Sequence, residues 1–466
     1  MKSPLYIIVL ILFSFFLIYT LVYILQWFAG LYVASNRLEN SCDRKELIPR
    51  LFSKKDLLDH PLSILIPAYN EEECIVETIE ALRKQAYPNL EIIVVDDGSN
   101  DSTSQKLIDY YQLAEDTKKM IRELPTKPIK QIYKKVLGNE TLYLIKKENG
   151  GKSDALNCAI NACSNTHCVV LDADTQVAPN SLAILMAHFI TNKNCVICAG
   201  AVSSDYSFYK NTSFFRKILV YFQMLEYYRT FYMQRILLDK INGNIVVSGA
   251  FAMFDTEILR MIGGYKKNTI GEDMEVAMRI HSFCASQNKE YEISYVPEAK
   301  CYTQFPFRYK DYIRQRRRWH IGMIQSLKSH RYMCGNYHYG WIGVLSGTMY
   351  MLYELYTPFI EIVGFLTLVA AYFLNILDLQ FAISAIVLYL IFMVLTQAVL
   401  IYLIHCYKLE KISFFHRIQL LLISMIEFIF FHPLNMVVKI MAFLTYHNQK
   451  SNWGKIKRAS GSMIQE

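Results

Sequence analysis

The clearest structural signal lies in residues 61–99, which read PLSILIPAYNEEECIVETIEALRKQAYPNLEIIVVDDGS. Residues 63–67 and 91–95 are short apolar runs typical of buried strands, and residues 71–85 between them have the spacing of an amphipathic helix. A strand, a helix and a second strand in this order predict parallel pairing with a right-handed crossover. We therefore expect an α/β domain here.

The same rhythm continues downstream, with apolar runs at 143–145 and 168–171 on either side of a helical stretch at 153–162. A polar, Lys-rich insertion at 105–138 interrupts it, and we expect a solvated helix there. Ligands in parallel sheets bind beyond the carboxyl ends of the strands.

Acidic residues follow two of these strands: Asp96-Asp97 after the second, and Asp172-Ala173-Asp174 after residues 168–171. A single acidic strand end is usually a turn or a helix cap. Two in register indicate a site, because carboxylates at positions i and i+2 of an extended segment can reach one divalent cation.

Composition indicates a membrane protein that carries one soluble domain. Of the 466 residues, 53% are hydrophobic and only 19% are charged, whereas about 25% is usual for charged residues in soluble proteins. The apolar residues concentrate at 5–33 and after Trp341. The segments expected are an N-terminal transmembrane helix at 1–36, a soluble domain at 56–310, interfacial helices at 311–340, a transmembrane hairpin with an interfacial helix at 341–446, and a cytosolic tail at 447–466.

Residues 5–33 are long enough to cross a bilayer, and a secretory signal peptide is the competing interpretation. Basic residues follow this segment, starting at Arg37, and basic flanks stay in the cytoplasm. This distribution predicts a multi-pass plasma-membrane protein with its N-terminus outside and its soluble domain in the cytoplasm. The formal charge of +8 then reflects a bias towards the membrane surface, and nucleic acid is not expected as a partner.

Residues 350–374 and 381–404 are expected to form the membrane hairpin. Within the first of these spans, Glu354 and Glu361 are predicted to line a polar path, because carboxylates in a membrane are costly. For Glu354, an ion pair at a helix end is the alternative. Residues 418–446 contain His432-Pro433 and are expected to form two short interfacial segments, with a true fourth span as the alternative.

Other signals exclude several classes of protein. No Gly-x-Gly-x-x-Gly motif and no P-loop occurs, which argues against dinucleotide oxidoreductases and nucleoside triphosphatases. The 11 cysteines show no zinc-binding arrangement and no dense disulfide framework, which favours reduced thiols.

Seven short motifs in fixed order resemble those of the family 2 glycosyltransferases, and specifically of membrane-embedded processive polysaccharide synthases. They cover most of the chain, and their order makes the resemblance specific. The motifs are Ile66-Pro67-Ala68-Tyr69-Asn70-Glu71, Asp96-Asp97-Gly98-Ser99, the segment from Gly150 to Asn157, Asp172-Ala173-Asp174, Ser248-Gly249-Ala250-Phe251, Gly271-Glu272-Asp273 and Gln315-Arg316-Arg317-Arg318-Trp319.

The resemblance implies a GT-A nucleotide-sugar-binding domain, with a Rossmann-like mixed sheet, joined to transmembrane and interfacial helices. It also implies roles for individual residues. Nucleotide-sugar binding is implied for Ala68, Tyr69, Glu71, Asp97, Lys152, Asp172, Arg316, Arg318, Trp453 and Arg458. Acceptor binding is implied for Ser248, Gly249, Gln315 and Trp319.

Catalysis by Asp273 as general base, with Glu272 beside it, follows from the same resemblance, as does Mg²⁺ or Mn²⁺ held by Asp174 and Asp172. Without the resemblance, the acidic pair would be interpreted as the start of a helix, and the arginines of residues 316–318 as contacts to lipid headgroups.

Near the C-terminus, Trp453-Gly454-Lys455-Ile456-Lys457-Arg458 resembles the W-G-x-x-x-R gating loop of hyaluronan synthases. An anionic-lipid-binding tail is the simpler alternative. The chain departs from those synthases at Gly271-Glu272-Asp273, where they have Gly-Asp-Asp and where this chain is closer to cellulose and poly-N-acetylglucosamine synthases.

The expected function is processive, inverting synthesis of a β-linked polysaccharide from a UDP-sugar, with N-acetylglucosamine or glucose favoured. The expected partners are the UDP-sugar donor, the growing polysaccharide, membrane lipid and a small accessory membrane subunit. The alternatives are a non-processive membrane glycosyltransferase acting on a lipid or lipid-linked acceptor and, from another class, an inactive scaffold subunit or a transporter.

Overall fold

The computed structural model describes residues 4–448 except 52–56, 86, 118, 119, 121 and 122, and describes residues 40–51 only as helix. Ten strands form one mixed sheet. The strands are β1 (Leu62–Ala68), β2 (Leu90–Asp96), β3 (Ala114–Glu115), β4 (Ile129–Leu137), β5 (Glu140–Lys147), β6 (His167–Leu171), β7 (Gln176–Val177), β8 (Cys195–Ser203), β9 (Phe251–Asp255) and β10 (Glu292–Tyr302).

Helices cover the sheet and continue into the apolar part of the chain. The α-helices are α1 (Pro4–Leu51), α2 (Ile75–Arg83), α3 (Thr103–Tyr111), α4 (Lys152–Ala162), α5 (Ser181–Thr191), α6 (Phe214–Arg229), α7 (Arg235–Asp239), α8 (Thr256–Met261), α9 (Glu272–Ser286), α10 (Tyr309–Ser329), α11 (Thr357–Phe373), α12 (Leu379–Cys406) and α13 (Phe414–Thr445). Three π-helical segments accompany them at Thr230–Gln234, Ile342–Gly347 and Tyr350–Leu355.

The strand order is β3-β4-β5-β2-β1-β6-β9-β8-β10-β7. Strands β5, β2, β1 and β6 are mutually parallel, so their carboxyl ends share one edge. β9 runs antiparallel to β6 and therefore begins at that edge. All seven residues of β1 and of β2 are buried, as expected for strands covered on both faces. The predicted fold class, a mixed α/β sheet with apolar helices, is confirmed.

The predicted helical insertion at 105–138 is wrong in its second half. α3 occupies its start, but β4 pairs antiparallel with β5 across residues 129–137. The lysines of β4 belong to a half-exposed strand near the edge of the sheet, where charged residues discourage pairing with other chains. The Lys-rich composition of this segment is that of a solvated helix, but composition alone does not distinguish such a helix from a half-exposed strand.

Cysteines lie mainly in the buried interior. Cys195 and Cys198 have a Cys-x-x-Cys spacing, but both residues belong to β8. The cysteines whose side chains the structure describes form no disulfide.

Among the described residues, three helices are long and apolar enough to cross a membrane: Pro4–Glu39, Leu379–Cys406 and Phe414–Thr445. The helices Ile342–Leu355 and Thr357–Phe373, bent by 62° at the break between them, pass the same test as a pair. Large apolar side chains remain exposed along these helices; Phe373 and Leu444, for example, are 75% and 77% exposed. Such a surface is suited to lipid, and the protein is a membrane protein.

The expected pair of short interfacial segments at 418–446 is not observed, because α13 is one helix that continues through Pro433. Contacts on both sides of the proline hold it in place: His432 bonds to Glu361 at 2.7 Å, and Asn435 accepts a hydrogen bond from Tyr312. Neighbouring helices commonly stabilise proline inside apolar helices in this way. The expected straight span at 350–374 is instead broken between Leu355 and Thr357.

Candidate active site

One cavity of about 2890 Å³ extends from the carboxyl edge of the sheet into the apolar helices. At the sheet it borders the segments that follow β1, β5 and β6 and the turn that precedes β9. Because these elements end or begin at one edge, residues far apart in sequence meet there. The cavity therefore brings most of the predicted site residues together.

The segment after β1 contributes Tyr69 and Glu71 to the cavity wall. Asn70 between them adopts a positive φ of 58°, and its backbone amide donates to Ser99 at 2.9 Å. The amide of Glu71 donates to Thr103 at 2.8 Å. The turn is thus fixed against the segment that follows β2. Ala68, by contrast, is fully buried in β1.

Asp97 does not line the cavity. It is only 3% exposed and lies behind the loop that contains Gly150 and Gly151, here called the glycine loop. Its carboxylate accepts hydrogen bonds from the amides of Gly150 and Gly151, at 3.0 and 2.7 Å, and pairs with Lys147 Nζ at 2.6 Å. Asp97 therefore positions the loop that carries Lys152.

Lys147 and Asp154 complete a buried charge cluster with Asp97, and sequence reasoning missed both. Neither side chain is exposed to solvent, and Lys147 Nζ lies 2.6 Å from Asp154 as well as from Asp97. Lys267 also reaches Asp154, at 2.5 Å. Burial alone would lower the pKa of Lys147, but hydrogen bonds to the two carboxylates raise it, so the lysine stays charged.

The glycine loop positions Lys152 at the wall of the cavity. Gly151 has a φ of +89°, which favours glycine, and Lys152 follows as the first residue of α4. Lys152 Nζ lies 2.8 Å from Asp172 and 3.2 Å from Glu272. These carboxylates outweigh the effect of burial and raise the pKa of Lys152. The cavity therefore contains a permanently charged lysine.

Asp172 and Asp174 both border the cavity. In the described part of the chain, no group of three or more His, Cys, Asp or Glu residues is arranged to hold a metal ion. Two carboxylates nevertheless fit Mg²⁺ or Mn²⁺, because hard cations at such sites take one or two carboxylates and complete their coordination with substrate phosphates and water.

Glu272 and Asp273 open α9 at the cavity wall. Burial raises the pKa of the Asp273 carboxyl to about 6, and the neighbouring Glu272 carboxylate adds to the shift. The turn at Ser248 and Gly249 faces them: a β-carbon placed on Gly249 would lie 3.4 Å from both Asp273 Cβ and Lys152 Nζ. A proton acceptor and a fixed positive charge thus flank one small space.

α10 carries Gln315, Arg316, Arg318 and Trp319, and all four border the cavity. Trp319 is 40% exposed, with the Arg316 guanidinium 4.4 Å from its ring centre. Arg316 also pairs with the carboxylate of Glu226 at 2.8 Å, a partner that the sequence pattern did not identify. The tryptophan ring is therefore held by a charged contact at the mouth of the apolar region.

α10 is tied directly to the segment that carries Asp273. Gly271 and Gly322 touch through their backbones, since a β-carbon on Gly322 would lie 2.7 Å from Gly271 Cα. The amide of Ile270 donates to the Gln325 side chain at 2.8 Å. These contacts fix the distance between Trp319 and the candidate base.

Ion pairs and a hydrogen-bonded pair line the part of the cavity that lies among the apolar helices. Glu354 pairs with Lys439 at 3.2 Å and Glu361 with His432 at 2.7 Å, so both carboxylates that the sequence singled out lie at the cavity wall. Arg229 forms a two-pronged ion pair with Glu427. Aromatic side chains share this wall, namely Tyr19, Tyr23, Trp27, Tyr353, Tyr389 and Phe392.

Trp453 and Arg458, the residues implied in a gating loop, lie outside the residues that the structure describes.

Comparison with known proteins defines the class to which this fold and cavity belong. The model of glycosyl transferase family 2 matches residues 63–263, and that of glycosyl transferase family group 2 matches residues 167–405, half of the chain. The chain belongs to glycosyltransferase family 2, and it is a glycosyltransferase of that family.

Among characterised proteins, the chain is similar to poly-β-1,6-N-acetyl-D-glucosamine synthases. It is 24% identical to that of Staphylococcus epidermidis strain RP62A over 310 residues, which are 66% of this chain and 65% of the relative. It is 26% identical to that of Staphylococcus aureus strain COL over 264 residues, which are 56% of this chain and 54% of the relative. The similarity thus spans 65% and 54% of the length of these two relatives, less than two thirds of each.

Among solved structures, the chain resembles a mannosyltransferase from Pyrobaculum calidifontis in complex with GDP-Man and Mn²⁺. The TM-score is 0.50 at 20% sequence identity, and the alignment covers 82% of this chain and 100% of the mannosyltransferase. The likeness supports the GT-A fold.

Proposed function

We propose that this protein is a processive, inverting glycosyltransferase that polymerises a β-linked polysaccharide from a UDP-sugar and moves it across the membrane. The observation that carries the proposal is the continuous cavity, which joins Asp273 and Lys152 to the charge pairs and aromatic residues among the apolar helices. Its extension from the sheet into the apolar helices suits a product longer than one sugar.

The donor is proposed to be UDP-N-acetylglucosamine, with UDP-glucose second. Similarity to poly-β-1,6-N-acetyl-D-glucosamine synthases supports this order. Tyr69 and Glu71 border the part of the cavity nearest the sheet, where the nucleotide would lie. Lys152 follows two glycines that let the backbone approach a phosphate, so its charge would face the diphosphate.

A divalent cation, Mg²⁺ or Mn²⁺, would be held by Asp174 with Asp172 close to the nucleotide. When bound, the cation supplies Lewis-acid stabilisation of the departing diphosphate. Lys152 offsets part of the negative charge of Asp172 and Glu272, which lessens the repulsion between this wall and the donor.

Asp273 is proposed as the general base that removes the proton from the attacking acceptor hydroxyl. A pKa of about 6 leaves it ionised near pH 7 while it remains basic enough to accept a proton. Trp319 would stack on a face of the acceptor sugar, and an aromatic surface allows successive sugars to slide past it. Arg316 and Arg318 would add positive charge at the same mouth.

The arrangement in the membrane is proposed from the basic residues that follow the apolar part of α1, starting at Arg37. They support a cytoplasmic sheet domain and an outside N-terminus, and we propose that the membrane is the plasma membrane. With Trp453 and Arg458 closing over the nucleotide as a lid, water would be excluded from the donor. A small accessory membrane subunit remains part of the proposal.

The test is product analysis with purified protein in detergent, given UDP-N-acetylglucosamine, UDP-glucose or another UDP-sugar. We expect long polymer from UDP-N-acetylglucosamine with Mg²⁺ or Mn²⁺, and none from the Asp273→Asn variant under the same conditions. Addition of a single sugar would contradict processivity and support a lipid-modifying enzyme. No turnover of any UDP-sugar would contradict the proposal as a whole.

A further inference from the structure

Lys267 borders the cavity, and the mechanism proposed above gives it no role. It lies in the segment between α8 and α9 that leads to Asp273, and its side chain is 37% exposed. Its Nζ lies 2.5 Å from a carboxylate oxygen of Asp154, a residue of α4 that is fully buried. A lysine at the cavity wall is thus paired with a carboxylate in the interior.

The charges of the buried cluster show what Lys267 contributes to it. The cluster contains two carboxylates, Asp97 and Asp154, and one buried lysine, Lys147. Without Lys267, one lysine would have to balance both carboxylates, and buried charges are costly unless they are paired. Lys267 supplies the second positive charge. Of these four residues, it is the one that borders the cavity.

The cluster in turn supports the backbone of the glycine loop. Asp154 touches this loop, since a β-carbon placed on Gly150 would lie 2.6 Å from Asp154 Cγ. Asp97 accepts hydrogen bonds from the amides of Gly150 and Gly151. Burial already raises the pKa of Asp97, so loss of a positive charge from the cluster would favour its protonated form, which accepts these bonds less well. The charge of Lys267 therefore affects the conformation of the loop.

The backbone that carries Lys267 is fixed to the same helix as Asp154. The amide of Tyr265 donates to the Asn157 side chain at 2.7 Å, and that side chain donates to the carbonyl of Tyr265 at 2.9 Å. We propose that Lys267 is a positioning residue for the donor: by balancing the charge of Asp154, it holds the glycine loop in the conformation that receives the diphosphate. This inference rests on the proposed function and extends it to a residue outside the sequence motifs.

Direct contact between Lys267 and the diphosphate is the alternative, and the balance of charge separates the two roles. Lys267→Met leaves two carboxylates with one buried lysine. Asp154→Asn combined with Lys267→Met removes one charge of each sign, so the cluster is balanced again although the lysine is missing. Lys267→Arg keeps the positive charge.

Lys266→Met is the matched control. Lys266 is the neighbouring lysine, but its Nζ pairs with Glu275 at 2.9 Å and it is not among the residues that line the cavity. Glu275 keeps Arg279 as a partner when Lys266 is replaced.

The experiment measures the Kd of UDP by calorimetry with Mg²⁺ present, in detergent-purified full-length variants whose folding is checked by thermal unfolding. We expect Lys267→Met to raise the Kd about tenfold or more, the scale of one charged hydrogen bond. Lys267→Arg, Lys266→Met and the double variant should all bind UDP within about threefold of wild type. The double variant tests the inference even if Lys267→Met does not fold, because its cluster is balanced.

Three outcomes would overturn the inference. A Kd close to that of wild type in Lys267→Met would show that the loop does not depend on this lysine. Binding by the double variant as weak as that by Lys267→Met would assign Lys267 to direct contact with the diphosphate. Equal losses in Lys267→Arg and Lys267→Met would exclude charge as the cause.

The measurement also keeps this inference separate from the proposed function. UDP binding needs neither acceptor nor turnover, so wild-type protein that adds only one sugar would contradict processivity and leave the role of Lys267 intact. Wild-type protein that binds no UDP would contradict both.

Discussion

The candidate base makes the sharpest prediction, because its pKa determines how the rate depends on pH. Burial and the neighbouring Glu272 raise the pKa of Asp273 to about 6. A base works only when deprotonated, so activity should rise with pH through this value and then level off. With that pKa, the ionised fraction is about 91% at pH 7 and about 9% at pH 5, and kcat/KM should fall roughly tenfold between them.

Two variants test the origin of the shift. Asp273→Asn should lower transfer by about 10² or more at pH 7, the usual scale for loss of a general base, while UDP binding stays near normal. Glu272→Gln removes the negative neighbour, so the midpoint of the pH profile should move to lower pH.

The assay is initial-rate release of UDP between pH 5 and 8, with UDP binding followed by calorimetry in the same detergent. A profile with no inflection near pH 6 in wild type would refute the reasoning, as would a midpoint that rises in Glu272→Gln. If UDP binding collapses in Asp273→Asn, the residue belongs to the nucleotide site or the fold.

Four further predictions concern the metal, the buried cluster, the glycine contact and the tail. Asp174→Asn should abolish transfer and weaken Mn²⁺- or Mg²⁺-dependent UDP binding in calorimetry without unfolding the protein; full activity in chelator would contradict this. Lys147→Met removes the lysine that pairs with the buried carboxylates of Asp97 and Asp154, and it should lower the free energy of unfolding by about 3–5 kcal/mol. The control Lys146→Met, on the half-exposed face of the same strand, should lower it far less. Thermal unfolding of both variants checks this. Gly322→Ala places a methyl group 2.7 Å from backbone and should reduce transfer more than UDP binding; equal effects on both would contradict a role in spacing base and acceptor. Truncation after Gln449 should nearly abolish polymer formation in detergent without anionic lipid, and unchanged synthesis there would leave only a lipid-binding role.

Sequence reasoning predicted the sheet and the edge where the site lies, because both follow from local patterns. Buried apolar runs such as those at 63–67 and 91–95 indicate strands, and parallel strands collect their carboxyl ends at one edge. The carboxylates of Asp172 and Asp174 could therefore be placed near each other before the structure was known.

The role of Asp97 could not be predicted in this way. Its partners in the buried cluster, Lys147 and Asp154, are 50 and 57 positions away, and a lysine at a strand end gives no signal that it is buried. The predicted break at Pro433 was wrong, because contacts with distant residues stabilise a helix that the local sequence disfavours.

The touching backbones of Gly271 and Gly322 have a consequence for engineering this enzyme. They hold the segment that carries the candidate base, Asp273, against the helix that carries Trp319, so we expect the two to move together. If the proposed processive mechanism holds, advance by one sugar would come from sliding of the polymer or from movement of both elements together. A chimera that exchanges the sheet domain while keeping the native α10 must preserve glycine on both sides of the junction, or the two halves will be held apart by a methyl group.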